Sequence, residues 1–204
     1  MDAVKQLKTR AKKSFESQDY VSCLGLFKQL IELEPDNARN WLRVASNLRN
    51  LGRHSEAVEH CRKAIALDPE EPLAFVCIAR SQAELGLVDE AIGSCGKATH
   101  LAPGFVKSYN LRATAFMAKG VQELSLVAEC LRCARIKEKR SHGRRAVEFF
   151  NQAVSDLSTA QAMGSDCTET IELLLDTIRD VERGGGHEAA ALEALPRLRQ
   201  AGES

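Results

Sequence analysis

This chain carries no net charge: 28 Lys and Arg balance 28 Asp and Glu. The molecule as a whole therefore exerts no long-range pull on nucleic acid or on an anionic membrane, and any such binding must come from local patches. Long apolar runs are missing as well, and none approaches the roughly 20 residues a helix needs to cross a bilayer. The opening Met1-Asp2-Ala3-Val4-Lys5 is polar and leads straight into helical periodicity, where a secretion signal would carry an apolar stretch. Seven cysteines lack the spacing of a disulfide framework. Their usage points to a reducing compartment, cytosol or nucleus.

The marks of catalysis are absent too. No phosphate-binding loop or dinucleotide fingerprint occurs, and Gly184-Gly185-Gly186 has neither a following Lys-Ser/Thr nor a preceding strand pattern. His54, His60, His100, His142 and His187 pair with no nucleophile or carboxylate at the spacing of a triad or a metal-binding helix. Cys130 and Cys133, with His142 beyond, have the start of a zinc motif but no second ligand pair; Cys167 is distant and isolated. They read as small apolar residues on a helix face. The sequence thus predicts a non-enzymatic protein with no catalytic residue, no cofactor and no metal.

What is present is a period. Ala11, Ala45, Ala79 and Ala113 are spaced 34 residues apart, as are Pro35, Pro69 and Pro103, and Gly52, Gly86 and Gly120. A small residue early, a glycine midway and a proline near the end of each period describe stacked helical hairpins. Aligned on the prolines, the repeats run 4–37, 38–71, 72–105 and 106–139. The large wedge position reads Leu7, Trp41, Phe75, Tyr109, and the turn position reads Gln18, Gly52, Gly86, Gly120. In the second helix the small position reads Cys23, Ala57, Ala91, Ser125, followed by Phe27, Cys61, Cys95, Glu129. Ala45 and Ala57 are small so that two helices can approach, and a larger side chain there costs about 1–3 kcal/mol. Gly52 suits the left-handed conformation that ends a helix. Asp68-Pro69 stops the next one, because proline disfavours a helical residue before it.

This pattern resembles the tetratricopeptide repeat family. The match is best in repeat two, with Trp41, Val44, Ala45, Gly52, Ala57, Cys61, Ala64 and Pro69. Repeat four keeps it only in its first helix and turn. The resemblance implies an all-α, right-handed superhelix, an α-α solenoid, with C-terminal capping helices. Beyond about residue 130 the period decays. Ser141-His142-Gly143 reads as a break, 144–163 as a helix ending at Gly164, and 167–183 as another with Asp166 as N-cap. The span 140–183 is expected to cap the stack and 184–204 to form a flexible tail, with at most a short helix interrupted by Pro196.

The resemblance also implies that the first helix of each repeat lines a concave groove. The residues so placed are Lys5, Lys8, Lys12, Phe15, Arg39, Leu42, Arg49, Asn50, Val76, Arg80, Lys107 and Asn110, with Leu73 beside them. Seven of these are basic, and Glu16 and Glu84 are the acids on the same face. Such a groove suits a peptide or helix with acidic groups flanking an apolar anchor, and the chain is expected to act as a protein-binding adaptor or scaffold in a larger assembly. One subclass of the family grips the C-terminal carboxylate of heat-shock chaperones with a clamp of Lys, Asn and Arg. Lys8 matches it, but Lys12, Arg43, Leu73 and Cys77 do not, which argues against that ligand. A second patch, Arg132, Arg135, Lys137, Lys139, Arg140, Arg144 and Arg145, is opposed only by Glu138. The alternative it raises is an RNA- or ribonucleoprotein-associated subunit, although no aromatics are interleaved to stack on bases.

Overall fold

A computed structural model describes residues 3–132, 136–183 and 188–203. Every regular element among them is helical: α1 (Ala3–Glu16), α2 (Tyr20–Leu33), α3 (Ala38–Asn50), α4 (His54–Leu67), α5 (Pro72–Glu84), α6 (Val88–Leu101), α7 (Val106–Arg132), α8 (Ile136–Ala162), α9 (Thr168–Arg183), α10 (Glu188–Glu193) and α11 (Leu195–Glu203). They form two compact units, the first ending at Pro103 and the second beginning at Gly104.

The first unit is three successive helix pairs, α1/α2, α3/α4 and α5/α6, with α2 packed on α3 and α4 on α5. The period sets each boundary. The chain turns at Gln18, Gly52 and Gly86, whose φ values are 58°, 73° and 75°. Glycine enters that left-handed region without the Cβ clash other residues meet, and Gln18 shows that repeat one adopts the same turn without it. Asp19 then caps α2 by accepting from the Ser22 N–H at 3.0 Å, and Asn37 caps α3 from the Arg39 N–H at 3.2 Å. Glu71 caps α5 from the Leu73 N–H at 3.1 Å, with Pro72 inside the first turn, where its missing N–H costs nothing. The second helices stop at Glu34, Asp68 and Ala102, which leave helical geometry before Pro35, Pro69 and Pro103.

Small residues at the seams let these helices close up. Ala11 and Cys23, Ala45 and Ala57, and Ala79 and Ala91 are all fully buried. Cys61 and Cys95 occupy equivalent buried places, as the period predicts. Trp41 is half-buried. Its indole N–H donates to the Pro35 carbonyl at 2.7 Å, His60 stacks on the ring at 5.5 Å, and the Lys63 ammonium lies 4.7 Å from its centre.

The second unit departs from the repeat plan. Gly120 holds the register place of Gly52 and Gly86 but makes no turn, because α7 runs unbroken for 27 residues. The apolar stripe explains this. Ala113, Met117, Val121, Leu124 and Val127 continue at helical spacing through the glycine and are buried with Ala146, Phe150, Ala153 and Leu157 of α8. Gly120 serves instead as a point of close approach, since a Cβ there would collide with Cε1 of Phe150.

The expected break at Ser141-His142-Gly143 is likewise absent; the three residues lie inside α8, which begins at Ile136. Gly143 is buried against Val181 of α9, and one helical glycine costs only about 1 kcal/mol against alanine, which the packing offsets. Gly164 ends α8 as predicted, at φ 93°. The residue preceding α9 is Cys167, not Asp166, and its carbonyl accepts from the Ile171 N–H at 3.0 Å. The expected flexible tail is also corrected for residues 188–203. They form α10 and α11, whose Ala191 and Leu198 are buried in the same core, and Pro196 sits in the first turn of α11, where proline is tolerated. Gly184–Gly186 lie outside the described residues.

Candidate functional site

The predicted groove residues of the first unit belong to α1, α3 and α5. Lys5, Lys8, Lys12, Arg39, Asn50 and Arg80 are exposed there, and Arg49 is half-buried. Their exposure follows from helical spacing: Ala11, Val44, Ala45, Leu48, Cys77 and Ile78 take the inward positions of the same helices, which leaves the intervening charged side chains to solvent. The apolar members divide differently. Leu42 and Val76 are 7% and 5% exposed, so the core has claimed them. Phe15 and Leu73, at 39% and 44%, stay exposed. Phe15 stands edge-on to Tyr20, the ring centres 5.9 Å apart.

The cations are not equally free. Lys8 reaches across from α1 to Glu34, 3.0 Å away, and Glu34 also accepts from Asn37 at 3.0 Å and Asn40 at 3.1 Å. The hydrogen bond from Lys8, then that from Asn40, holds the Glu34 carboxyl below its ordinary pKa. Lys12 makes a loose contact with Glu16 at 3.8 Å. Arg39 and Arg80 form no ion pair among the described residues. Arg49 donates to Asn50 at 3.1 Å, while its Nε is buried without a hydrogen-bond partner. Beneath them Cys61 and Cys77 are buried in one cluster, and the neighbouring Cys77 thiol, then burial, pushes the Cys61 thiol pKa up. Glu34 was not among the residues expected from the sequence. Its signal there is modest: an acid at the end of α2, where the later repeats have Asp68 and Ala102.

Lys107 and Asn110 belong to α7 of the second unit. Lys107 is exposed, and Asn110 is half-buried and donates to the Ser165 hydroxyl at 3.1 Å. In the same unit Arg112 clasps Asp156 through two hydrogen bonds of 2.8 and 2.7 Å, while its guanidinium lies 5.6 Å from the centre of the Tyr109 ring. Of the second basic patch, Arg140, Arg144 and Arg145 are exposed on α8 and Lys139 is half-buried. The side chains of Arg132, Arg135 and Lys137 lie outside the described residues. Arg145 contacts Glu123 at 3.2 Å, beside His142 at 2.6 Å from the same carboxylate. Cys130 is buried, and Cys133 is outside the described residues. Among the described residues no cluster of three or more His, Cys, Asp or Glu could hold a metal ion, and no helix is long and apolar enough to cross a membrane.

Paired helices with a 34-residue period, positive-φ turns and proline stops define a helical-repeat protein. Residues 38–71 match the family described as tetratricopeptide repeat. Hairpins of the same plan lie on either side of that segment, so the fold is that of a tetratricopeptide-repeat solenoid.

Solved structures share the fold. MamA, as the RS-1 ArsTM double mutant, aligns with a TM-score of 0.63 at 14% identity, over 100% of this chain and 98% of its own. The first repeat domain of Spaghetti (RPAP3), bound to the HSP90 peptide SRMEEVD, aligns at 0.54 and 20% identity, over 56% of this chain and 91% of its own. The TPR2B domain of yeast Sti1, in complex with an Hsp70 peptide, gives 0.52 and 22%, over 55% and 94%. No curated protein matches the sequence significantly.

Proposed function

We propose that the chain is a non-catalytic adaptor whose first unit takes an acidic peptide or helical segment of a partner protein on the face of α1, α3 and α5. The observation that carries this reading is charge of one sign left uncompensated. Arg39 and Arg80 stand exposed without an ion pair among the described residues, while Lys5 and Lys12 are exposed on α1 and Leu73 is exposed on α5 as an apolar contact. An extended or helical ligand with carboxylates flanking an apolar residue complements that arrangement in both charge and hydrophobicity. Two of the structural relatives were solved with peptides of heat-shock proteins, which supports a peptide-binding role for the shared fold. The ligand differs from theirs, because Leu73 and the buried Cys77 stand where the chaperone clamp has Lys and Arg.

The test uses the full chain and a fluorescent amphipathic peptide of Glu and Leu, read by anisotropy against its Lys/Leu counterpart. The triple variant Lys12→Glu, Arg39→Glu, Arg80→Glu changes only exposed side chains. Each exposed pair contributes about 0.2–1 kcal/mol, and each reversal adds repulsion of similar size, so the acidic peptide should bind at least tenfold more weakly. Equal affinity for the variant, or for the Lys/Leu peptide, refutes the reading. Retained binding that moves instead to RNA and falls steeply with salt would mark counterion release and shift the function to the α8 patch.

A further inference from the structure

The third hairpin carries an open cleft, and comparison with the residues of repeat two shows how it arises. There Trp41 is stacked by His60 and overhung by Lys63, and Glu59 and Arg62 project from the neighbouring positions of α4. One period later the wedge is the smaller Phe75, the stacking histidine becomes Ser94, and Glu59 and Arg62 become Gly93 and Gly96. The side chains lost leave a cleft of about 570 Å³, floored by Phe75, Pro69 and Leu101 and walled by the two glycines. That volume lies within the range of natural ligand pockets. A Cβ built on Gly93 meets nothing within 4 Å. Glycine is costly inside a helix, so neither the local helix nor a packing contact at Gly93 accounts for its presence there.

The rim has one sign of charge. Lys97 and His100 are the ionisable residues lining the cleft, both are exposed, and no carboxylate among the described residues lines it. The Lys97 ammonium stands 5.9 Å from the centre of the Phe75 ring, so a group entering above the ring meets an apolar floor and a cation together. We propose that this cleft is a second recognition site, which takes an aromatic side chain flanked by a carboxylate from a protein partner. The aromatic ring replaces the stack that Trp41 and His60 make in repeat two, and the carboxylate pairs with Lys97. The cleft is lined chiefly by α6 and so is separate from the α1, α3 and α5 face.

Phenylacetate and phenethylamine, which share a ring and differ in the sign of charge, are the probes. Each is titrated into the full chain while the amide signals of Gly93 and Gly96 are followed by ¹⁵N NMR. Phenylacetate should give saturable shifts at both glycines in the millimolar range expected of so small a ligand, and phenethylamine should bind at least tenfold more weakly. The variant Gly93→Glu, Gly96→Arg installs the residues repeat two already carries at these positions, so its helix content by circular dichroism should be unchanged. It should abolish shifts at the Phe75 amide, whereas Gly93→Ala, Gly96→Ala should retain them. Lys97→Gln should erase the preference between the probes. The proposal is overturned by an absence of saturable shifts, by equal binding of the two probes, or by binding that survives the Glu/Arg variant. It is equally overturned by shifts that depend on protein concentration alone, which would make the occupant a second copy.

Discussion

Gly120→Ala is the substitution that separates the two uses to which this chain puts its periodic glycines. At Gly52 and Gly86 the backbone is left-handed, and a Cβ would meet nothing within 4 Å. Alanine there is penalised by conformation alone, by about 1–2 kcal/mol. At Gly120 the helix is continuous and alanine improves propensity by roughly 1 kcal/mol. Against that gain, its Cβ would collide with Cε1, Cδ1 and Cζ of the Phe150 ring. Phe150 is fully buried and has no solvent side to yield into. Overpacking of this kind costs about 1–3 kcal/mol, with close contacts at the upper end, so Gly120→Ala should lose about 1–2 kcal/mol net. Phe150→Ala alone should cost about 3–5 kcal/mol. Combined, the two should cost less than their sum by about 1–3 kcal/mol, because the added methyl group enters the space the ring vacates. Urea denaturation tracked by circular dichroism gives all three values. Strict additivity, or a stabilised Gly120→Ala single variant, would refute the close-approach reading. Gly52→Ala should show no coupling to Phe150.

The same packing sets the outcome of other substitutions. Trp41→Ala should lose about 2–3 kcal/mol, at or below the lower end for a large aromatic because the ring is only half-buried, as read by chemical denaturation. Arg112→Ala strands the carboxylate of Asp156, which is nearly buried, and should cost about 2–4 kcal/mol, whereas Arg112→Met with Asp156→Leu should recover most of that loss. Glu34 titrates below its ordinary value of 4.5 in the folded chain. Its ionised form therefore stabilises the fold above that pH, and the contribution fades as pH falls from 4.5 through the folded-state pKa. The stability gap between the native protein and Glu34→Gln should accordingly be widest near neutrality and close in acid, as measured by thermal melts across pH.

The first unit was legible because its geometry is written three times. Ala45 and Ala57 announce a close seam, Gly52 a turn and Pro69 a stop, and each residue type recurs one period away at Ala79, Ala91, Gly86 and Pro103. The second unit was misread where a single residue type serves two physical ends. Gly120 keeps the register of a turn, but the residues after it decide its role. Val121, Leu124 and Val127 extend the apolar stripe, and burying it against Phe150 and Ala153 outweighs a helix stop. Gly143 misled in the same way, being a contact with Val181 rather than a break. At the candidate site the charges were readable and the depth was not. Leu42 and Val76 share a helix face with Arg39 and Arg80 in a sequence diagram, yet close packing of neighbouring hairpins draws them into the core. That depends on the distance between helices, which no single repeat encodes.

The claim that acidic segments dock on α1, α3 and α5 is tested most directly by lysine footprinting. The full chain is labelled with an amine-reactive ester, with and without the Glu/Leu peptide, and modification is read by mass spectrometry. Lys5 and Lys12 on α1 should be protected, with Lys28 and Lys63 on the second helices unchanged. Protection of Lys28 and Lys63 with Lys5 and Lys12 left reactive would contradict it.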